Sequence, residues 1–519
     1  MICPRRLLMM TGVHLPLGAD LDYLVLMSVR KRAQRARRLR SEVVIGLAAG
    51  VGAPLELVQS RIASALEKLG YEVELIHLSG LTELFDLSTP SPGSSAGEAE
   101  RIDAGMRRGN EAREATGHDD ILAMAAVGQI RNRRGRGLTR LDGRAFVLRQ
   151  LKHPAEVDLL RRVYRDGFHL VGVYSPVEAR EERLADHGMH EDRIAELIAR
   201  DEREPSTSGQ RLRDTFHLAD VFVNVAKSRS AIASQIERYF ALVYGKGLHG
   251  PTPDEFGMFQ AYASALRSVQ LGRQVGAAIL SPHRDLIAVG TNEVPRAGGG
   301  PYFDGDPEDA RDHIRGRDSS DEMRERMATE IASRVIDGWE SLSPAGRLER
   351  ARGIQERLES TTISALTEFG RAVHAEADAL LSAARVGVST RGCSLYATTF
   401  PCHVCAKHIV SAAIDRVVFI EPYPKSRARE LFDDSISLEK RSKSRVLFEP
   451  FVGVAPRRYV ELFSMRAPDG EEIARKDAAG FVLGEFRRPR LEMSYSSAID
   501  REGWAADELR GLLGEGEGS

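Results

Sequence analysis

The C-terminal half of the chain contains the sequence HAE at 374–376 and the sequence PCHVC at 401–405. These two stretches give the strongest indication of the fold of this half. The imidazole of His374 and the thiolates of Cys402 and Cys405 supply three ligands to a tetrahedral zinc ion and leave its fourth position open. An open position is typical of a catalytic site, whereas a structural site closes it with a fourth residue. The sequence therefore predicts a catalytic Zn²⁺ site.

Each ligand group stands where a helix is expected to begin. Apolar spacing predicts helices over Ala375–Ala384 and Cys402–Ala413, and Ser394–Thr399 between them has the pattern of a buried strand. The helix dipole favours negative charge at a helix start, so the thiolates are stabilised before the metal arrives. The helix–strand–helix order predicts an α/β fold for this half.

Glu376 is the candidate catalytic residue, because it follows His374 closely and is not needed as a ligand. Zinc lowers the pKa of its bound water toward ~7. We expect the carboxylate to take the water's proton and pass it to the ring nitrogen and then to the departing amine, as in zinc nucleobase deaminases. The alternative is a structural zinc knuckle, for which His403 and Cys393 are the nearby candidates for a fourth ligand.

These stretches, together with DRVVFI at 415–420, resemble the deoxycytidylate deaminase family. Two upstream segments, RQVGA at 273–277 and GTNEVP at 290–295, resemble the substrate-side segments of that family. The resemblance implies a deoxyribose contact for Asn292 and places Arg273 and Gln274 on the substrate side. Guanine and tRNA-adenosine deaminases share the zinc ligands, but Val404 and Lys407 favour a nucleotide deaminase.

From about residue 41 to 497 the chain is similar to the anti-phage dCTP deaminases, in phrases such as LIARDE at 197–202 and IEPYPKS at 420–426. The resemblance implies hydrolysis of dCTP, dCMP or both to the uracil nucleotides and ammonia, which would starve phage replication of dCTP. It also implies a regulatory nucleotide or small RNA at the N-terminal domain, and a homo-oligomer. Arg273, Arg296 and Lys425 are candidates for phosphate contacts, with plain surface charge as the alternative.

The N-terminal half alternates short apolar runs with helical patterns, which predicts a mostly parallel sheet covered on both faces and, by resemblance, a P-loop kinase-like domain. The expected strands are Val43–Ala48, Tyr71–Leu78, Ala145–Leu151, Phe168–Tyr174 and Asp220–Val225.

Gly46, Gly50 and Gly52 form a candidate nucleotide-binding loop between the first strand and the first helix. A working phosphate loop continues into a lysine and a hydroxyl residue, and here Ala53 and Pro54 take those places. Three interpretations stay open: a nucleotide sensor, a structural or assembly domain, and an active kinase.

The expected organisation has four parts. They are a disordered basic extension at 1–40, the kinase-like domain at 41–246, a three-layer α/β/α deaminase domain at 254–465 with a charged helical insertion at about 304–360, and a C-terminal extension at 466–519. Within the deaminase domain we expect a helix over Asp254–Leu271 and strands at Val275–Leu280 and Leu286–Thr291.

Composition narrows the class of protein. With 42% hydrophobic and 29% charged residues and a net charge of −2, the chain has the composition of a globular protein rather than a nucleic-acid scaffold. Four cysteines are too few for a disulfide framework in 519 residues, which favours a reducing, cytoplasmic compartment. No apolar run approaches the ~20 residues that would span a membrane.

Three alternatives to a dCTP-depleting enzyme remain. One is a housekeeping dCMP deaminase, and a second is a polynucleotide cytosine or adenosine deaminase. The second would need a basic groove with aromatic stacking platforms, and only 6% of the residues are aromatic. The third is a regulatory nucleotide- or RNA-sensing protein with a vestigial deaminase, which the joint presence of Glu376 and all three ligands disfavours.

Overall fold

Two six-stranded sheets, each flanked by helices, form an N-terminal and a C-terminal α/β block. The computed structural model describes residues 41–93, 96–202, 204, 206, 208–359, 361, 370–421, 426–438, 442, 444–467, 470–484 and 489–514. The basic extension predicted at 1–40 lies outside these residues.

The first sheet consists of β1 (Val43–Ala49), β2 (Glu72–His77), β3 (Arg144–Arg149), β4 (Phe168–Tyr174), β5 (Val221–Asn224) and β12 (Gly453–Val454). Its strand order is β12-β5-β4-β1-β3-β2, and β1 to β5 all run parallel. Every residue of the central β1 is buried, as expected where helices cover both faces of a parallel sheet.

The helices of the N-terminal block are α1 (Leu55–Lys68), α2 (Glu98–Thr116), α3 (Ile121–Arg133), α4 (Pro154–Tyr164), α5 (Val177–Asp186), α6 (Glu191–Glu202), α7 (Leu212–Phe216) and α8 (Arg229–Val243). Successive β1 side chains point to opposite faces of the sheet. Val44 packs in the core that contains α3, whereas Val43 and Ile45 pack in the core that contains α1 and α8.

The helices of the C-terminal part are α9 (Pro253–Ala265), α10 (Asp312–Arg315), α11 (Ser319–Val335), α12 (Pro344–Glu359), α13 (Ala375–Arg385), α14 (His403–Ser411), α15 (Ala428–Leu431), α16 (Tyr459–Phe463) and α17 (Tyr495–Leu512). Short 3₁₀ turns occupy Leu78–Leu84, Arg165–Gly167, Trp339–Ser341 and Pro456–Arg458. Among the described residues, no helix is both long and apolar enough to cross a membrane.

The second sheet consists of β6 (Gly276–Leu280), β7 (Leu286–Thr291), β8 (Ser394–Thr399), β9 (Arg416–Glu421), β10 (Ile436–Ser437) and β11 (Val446–Pro450). Its order is β10-β11-β9-β8-β6-β7, with β6 antiparallel to both of its neighbours and the remaining pairs parallel. The central β8 is the strand predicted between the two ligand-bearing helices, and the bounds agree.

Helix α9 ends at Ala265, six positions short of the predicted Leu271. The chain leaves the helix because its next residues bond to the loop after β7. The Val269 N–H donates to Glu293 Oε2 at 2.9 Å, and Ser268 Oγ donates to the Asn292 carbonyl at 2.8 Å. Tertiary hydrogen bonds therefore end a helix that the apolar spacing would continue.

The charged insertion contains α10, α11 and α12. Helices α11 and α12 pack on each other around a small core of Ala332, Trp339 and Ala351. The remaining surface of both helices is mostly charged, as the composition of this stretch predicted.

The two halves share a sheet, which the sequence did not indicate. We expected the second domain to continue to residue 465, but β12 pairs antiparallel with β5 of the first sheet. The fully buried carboxylate of Glu255 accepts the Val454 N–H at 2.8 Å and is bound by Arg238 at 2.7 Å. The stretch at 244–253, predicted as a linker, therefore joins two blocks that are also connected by the pairing of β12 with β5 and by the Glu255–Arg238 ion pair.

The C-terminal helix α17 packs on α3 of the N-terminal block. Arg134 follows α3 and binds two buried carboxylates. One is Glu502 of α17, at 2.7 Å from Nε, and the other is Glu42, at 2.7 Å from Nη1. All three side chains are at most 1% exposed.

Replacing Arg134 by methionine should strongly destabilise the protein, because it leaves two buried carboxylates without their cation. Removal of one partner from a buried pair costs about 3–5 kcal/mol in the free energy of unfolding. Urea denaturation measures the change. The matched control is Arg133→Met, whose guanidinium is 57% exposed and pairs with Glu74 at the surface, and for which we expect at most about 1 kcal/mol. Equal losses in the two variants would contradict this account.

Candidate zinc and substrate site

The three predicted zinc ligands meet at the beginnings of two helices. His374 is the residue that precedes α13, and Cys402 is the residue that precedes α14, with Cys405 in the first turn of α14. Helix α13 packs on β6 and β7, and β8 leads directly to the cysteine loop. The sheet thus fixes both helix starts at one edge.

The ligand atoms are close enough to share one metal ion. His374 Nδ1 lies 3.2 Å from Cys402 Sγ and 3.4 Å from Cys405 Sγ, and the three ligand atoms all lie within 4.8 Å of one another. A tetrahedral zinc ion with bonds of ~2.3 Å to sulfur and ~2.0 Å to nitrogen would separate such atoms by roughly 3.6 Å. Small side-chain adjustments would therefore suffice to bind zinc here.

Neither candidate for a fourth, structural ligand belongs to this group. Cys393 is buried in the apolar core around β8 and β9, with its Sγ directed at the Ser389 carbonyl. His403 is also absent from the group, although it adjoins Cys402. The geometry therefore supports three protein ligands with an open position over the structural knuckle.

Hydrogen bonds within the ligand group affect the pKa values of its members. The Cys402 sulfur accepts hydrogen bonds from Cys405 and from His374, and these lower the pKa of the Cys402 thiol to about 4. The same contact with Cys402 raises the pKa of His374 to about 9. Hydrogen bonds within the group therefore favour the thiolate, which is the form of cysteine that binds zinc.

Glu376 lies against the ligands and away from water. Its side chain is buried, and its Oε2 atom lies 3.5 Å from Cys405 Sγ. Burial raises the pKa of this carboxyl group, and the neighbouring His374 opposes that rise. A buried carboxyl group beside an open metal position can move a proton between a water molecule and a bound substrate.

Asn292 is bonded at both ends of its side-chain amide. Its Oδ1 accepts the Val275 N–H at 2.7 Å, and its Nδ2 donates to the Arg273 carbonyl at 2.8 Å. One hydrogen of Nδ2 and one lone pair of Oδ1 remain for a ligand. Asn292 therefore fixes the segment at 273–275 and can still form hydrogen bonds to a ligand.

Arg273 and Gln274 lie in that segment and are exposed. The Arg273 guanidinium donates to Thr399 Oγ1 at 3.0 Å and pairs with Glu421. Thr399 ends β8 shortly before Cys402, so Arg273 lies beside the cysteine loop. Gln274 donates to the Ser268 carbonyl at 2.6 Å.

Two further candidates for phosphate contacts are Arg296 and Lys425. Arg296 pairs with Asp306 at 3.4 Å, and Lys425 lies outside the described residues.

Sequence reasoning missed two buried carboxylates that hold the loop after β7. Glu293 accepts the backbone N–H groups of Val269 and Val294. Asp378, on α13 near Glu376, accepts the Thr291 N–H at 3.1 Å. The position of Glu293 next to Asn292 was the one sign in the sequence that it belongs to the site. Its hydrogen bonds to Val269 and Val294 depend on the folded conformation of the loop, which local pattern does not show.

The three glycines predicted as a nucleotide-binding loop have different roles. Gly46 lies inside β1 rather than in the loop, and a Cβ there would lie 2.4 Å from a Leu151 methyl group. That part of the prediction was wrong, because the strand continues to Ala49 and Gly46 provides close packing. Gly50 and Gly52 do lie in the loop before α1, and Gly52 has the left-handed φ of +82°.

Residues 251–421 match the family model described as "Cytidine and deoxycytidylate deaminase zinc-binding region". The deoxycytidylate deaminase of Mus musculus is 24% identical over 219 residues, which cover 42% of this chain and 86% of the mouse protein.

Two solved structures also align with parts of the chain. The dCMP deaminase of cyanophage S-TIM5, in complex with dCMP and dUMP, aligns at 18% identity and a TM-score of 0.23 over 39% of this chain and all of its own. A gluconokinase from Sinorhizobium meliloti aligns at 18% identity and a TM-score of 0.22 over 40% of this chain and 94% of its own.

The family match and the His/Cys/Cys group within it define residues 251–421 as a zinc-binding deaminase domain. More particularly, it is a cytidine and deoxycytidylate deaminase domain with deoxycytidylate deaminase homologues.

Proposed function

We propose that the protein hydrolyses free deoxycytidine nucleotides, converting dCTP, dCMP or both to the uracil nucleotide and ammonia. The observation that carries this proposal is the buried Glu376 carboxyl group beside a three-ligand His374–Cys402–Cys405 group within a cytidine and deoxycytidylate deaminase domain. Water replaces the amine at C4 of cytosine, so one C–O bond forms and one C–N bond breaks.

His374, Cys402 and Cys405 would hold the zinc ion, which supplies a Lewis acid that makes a water molecule nucleophilic at neutral pH. Glu376 would take one proton from the attacking water and give it to the ring nitrogen N3, and would then take the second proton from the new C4 hydroxyl and give it to the departing amine. Its burial excludes bulk water from these transfers. Asn292 and the segment at 273–275 would position the deoxyribose and the phosphates.

A free nucleotide is favoured over a polynucleotide by the substrate-side segment. The Arg273 guanidinium lies beside the cysteine loop, where one small anionic group could bind it in exchange for Glu421. The polynucleotide alternative would need a continuous basic groove with aromatic platforms.

A panel of dCTP, dCMP, CTP, CMP and cytosine-containing oligodeoxynucleotides, analysed by product mass, tests the choice between a free nucleotide and a polynucleotide. Deamination of the oligonucleotides in preference to the free nucleotides would reject the proposal.

We further propose that the cellular role is anti-phage defence by depletion of dCTP. The resemblance of about residues 41 to 497 to the anti-phage dCTP deaminases supports this role, and a housekeeping dCMP deaminase is the alternative. Expression of the wild-type protein should lower phage yield and the dCTP pool during infection, whereas Glu376→Gln should do neither. Undiminished phage yield despite a fall in dCTP would reject the defence role and leave the enzymatic proposal standing.

Asn292→Ala should raise the KM for the nucleotide and leave zinc bound. The variant loses a sugar contact and frees the segment at 273–275, and one or two lost hydrogen bonds of ~1.4 kcal/mol each correspond to about a 10- to 100-fold loss in kcat/KM. Steady-state kinetics and metal analysis check the prediction.

Thr329→Ala, which removes one exposed side-chain hydrogen bond on α11, is the control and should leave kcat/KM within about 2-fold of wild type. Loss of zinc from the Asn292 variant with an unchanged KM would contradict the sugar-contact assignment.

A further inference from the structure

A small cavity of about 240 Å³ lies at the end of α8, where the N-terminal block meets the C-terminal extension. Its wall consists of Leu242 of α8, residues 247–251 of the connecting stretch, Phe463 of α16, Arg475 and Arg490. Helix α8 starts at the carboxyl edge of the first sheet, after β5, and packs along β5. The cavity at its far end is therefore separate from the glycine loop that follows β1.

Two arginine side chains reach this cavity from different segments of the extension. Arg490 is 6% exposed, and its Nη1 donates to the Ser464 carbonyl at 2.7 Å. Arg475 Nη2 donates to the Phe463 carbonyl at 3.2 Å. The Arg475 Nε atom is buried and has no hydrogen-bond partner within the part of the chain that the structure describes. Carbonyl groups at the end of α16 therefore hold both guanidinium groups at the cavity wall.

The positive charge of the two arginines is not balanced inside the cavity. Among the described residues that form its wall, none is acidic. The nearby carboxylate of Glu461 pairs with Arg458 instead. Burial, and then the charge of Arg475, lower the pKa of Arg490, so the two guanidinium groups repel each other. An anion bound between them would offset this repulsion.

Backbone hydrogen bonds keep the cavity wall in place without a ligand. The Gly247 N–H donates to the Gly484 carbonyl at 2.9 Å, and the Arg490 N–H donates to the Val243 carbonyl at 2.8 Å. Gly247 has a left-handed φ of +73°, which glycine adopts without strain, and the chain turns there along the wall. The rest of the wall is largely apolar, which strengthens charged hydrogen bonds, and includes Leu242, Leu248, Pro251 and Phe463.

We propose that this cavity binds a phosphate dianion, free or as the end group of a small phosphate monoester, between Arg475 and Arg490. Each guanidinium can donate two parallel hydrogen bonds to phosphate oxygens. A dianion offsets both positive charges, whereas a carboxylate would offset only one. The volume lies below the ~300–1,000 Å³ of drug-sized ligand sites, which favours a small ion.

A bound phosphate would connect the segment that carries Arg475 with the segment that carries Arg490. Both segments contact the end of α8, so phosphate would stabilise the junction of the extension with the N-terminal block. The site is separate from the zinc group, and the proposal does not depend on deaminase activity.

Equilibrium dialysis of the full-length protein with radiolabelled inorganic phosphate, at constant ionic strength, tests the proposal. We expect saturable binding with a Kd below about 1 mM. Arg475→Gln should weaken this binding at least 10-fold, because charged hydrogen bonds to the ion are lost. The control is Arg466→Gln, an exposed arginine that is not on the cavity wall and should bind phosphate like wild type.

No saturable binding by wild type, or equal phosphate binding by Arg475→Gln and wild type, would overturn the proposal. Competition by glycerol 1-phosphate distinguishes the two sources of the phosphate group. At least 10-fold tighter binding of glycerol 1-phosphate than of inorganic phosphate would identify the ligand as a monoester, and equal or weaker binding would identify it as free phosphate.

Leu248→Glu provides an independent test that leaves both arginines in place. Leu248 is 42% exposed on the cavity wall, so a glutamate there can pair with the arginines without disturbing a core. We expect at least 10-fold weaker phosphate binding and a Tm no lower than that of wild type. The control is Leu266→Glu, a 59% exposed leucine away from this wall, which should bind phosphate like wild type. Unchanged phosphate binding by Leu248→Glu would overturn the proposal.

Discussion

Replacing Glu376 by glutamine is expected to abolish most of the activity while leaving the zinc site intact. Glutamine has nearly the same shape as glutamate but cannot accept and return a proton. General acid–base catalysis by one residue contributes about 10²–10⁴-fold in rate, and we expect a loss in kcat of that size. The KM should change little, because the proton transfers occur after substrate has bound.

Two measurements separate this role from a structural one. Metal analysis should find the same zinc content in Glu376→Gln and wild type, since the His/Cys/Cys group contains all the proposed ligands. Glu430→Gln, an exposed glutamate of α15 that pairs with Arg427, is the control and should retain full activity. A Glu376→Gln enzyme with more than about a tenth of wild-type kcat would remove the proton-transfer role.

Replacing Cys402 by serine should remove both zinc and activity. Cys402 precedes α14, and its sulfur lies 3.2 Å from His374 Nδ1 and accepts the Cys405 N–H, so it is at the centre of the ligand group. Loss of a residue that only supports a ligand costs 10- to 100-fold in metal affinity, so loss of the ligand itself should cost more than about 100-fold. Deamination should fall below detection in the same variant, because the metal-activated water is lost.

Cys393→Ala is the matched control, since Cys393 is a buried cysteine of the same domain that packs in the apolar core. It should retain zinc and activity. Full zinc occupancy in Cys402→Ser after dialysis would remove Cys402 from the ligand set.

The zinc group was the part of the site that sequence could predict best. Its residues lie in two short stretches, and helix starts follow each of them, so local pattern was enough to expect His374 and Cys402 to adjoin. The structure places them 3.2 Å apart. The substrate-side residues stay a prediction from resemblance, and the resemblance did not predict that Asn292 bonds to the backbone of residues 273 and 275.

Contacts between distant parts of the chain were not predictable from local pattern. The pairing of β12 with β5 joins residues that are far apart in sequence, and no periodicity marks a two-residue strand. The hydrogen bond from the Val51 N–H, in the loop after β1, to the Asp201 carboxylate on α6 was equally unpredictable, because the two residues lie 150 positions apart.

The central claim is that zinc-dependent chemistry at His374, Cys402 and Cys405 deaminates deoxycytidine nucleotides. The most direct test is to remove the metal from the purified protein, titrate zinc back, and measure ammonia and uracil nucleotide formed from dCTP and dCMP. We expect no activity without zinc and activity that rises to a plateau at one bound zinc ion per chain. Ammonia and the uracil nucleotide should form in equal amounts. Undiminished deamination by the metal-free protein, or no deamination of either nucleotide at full zinc occupancy, would contradict the central claim.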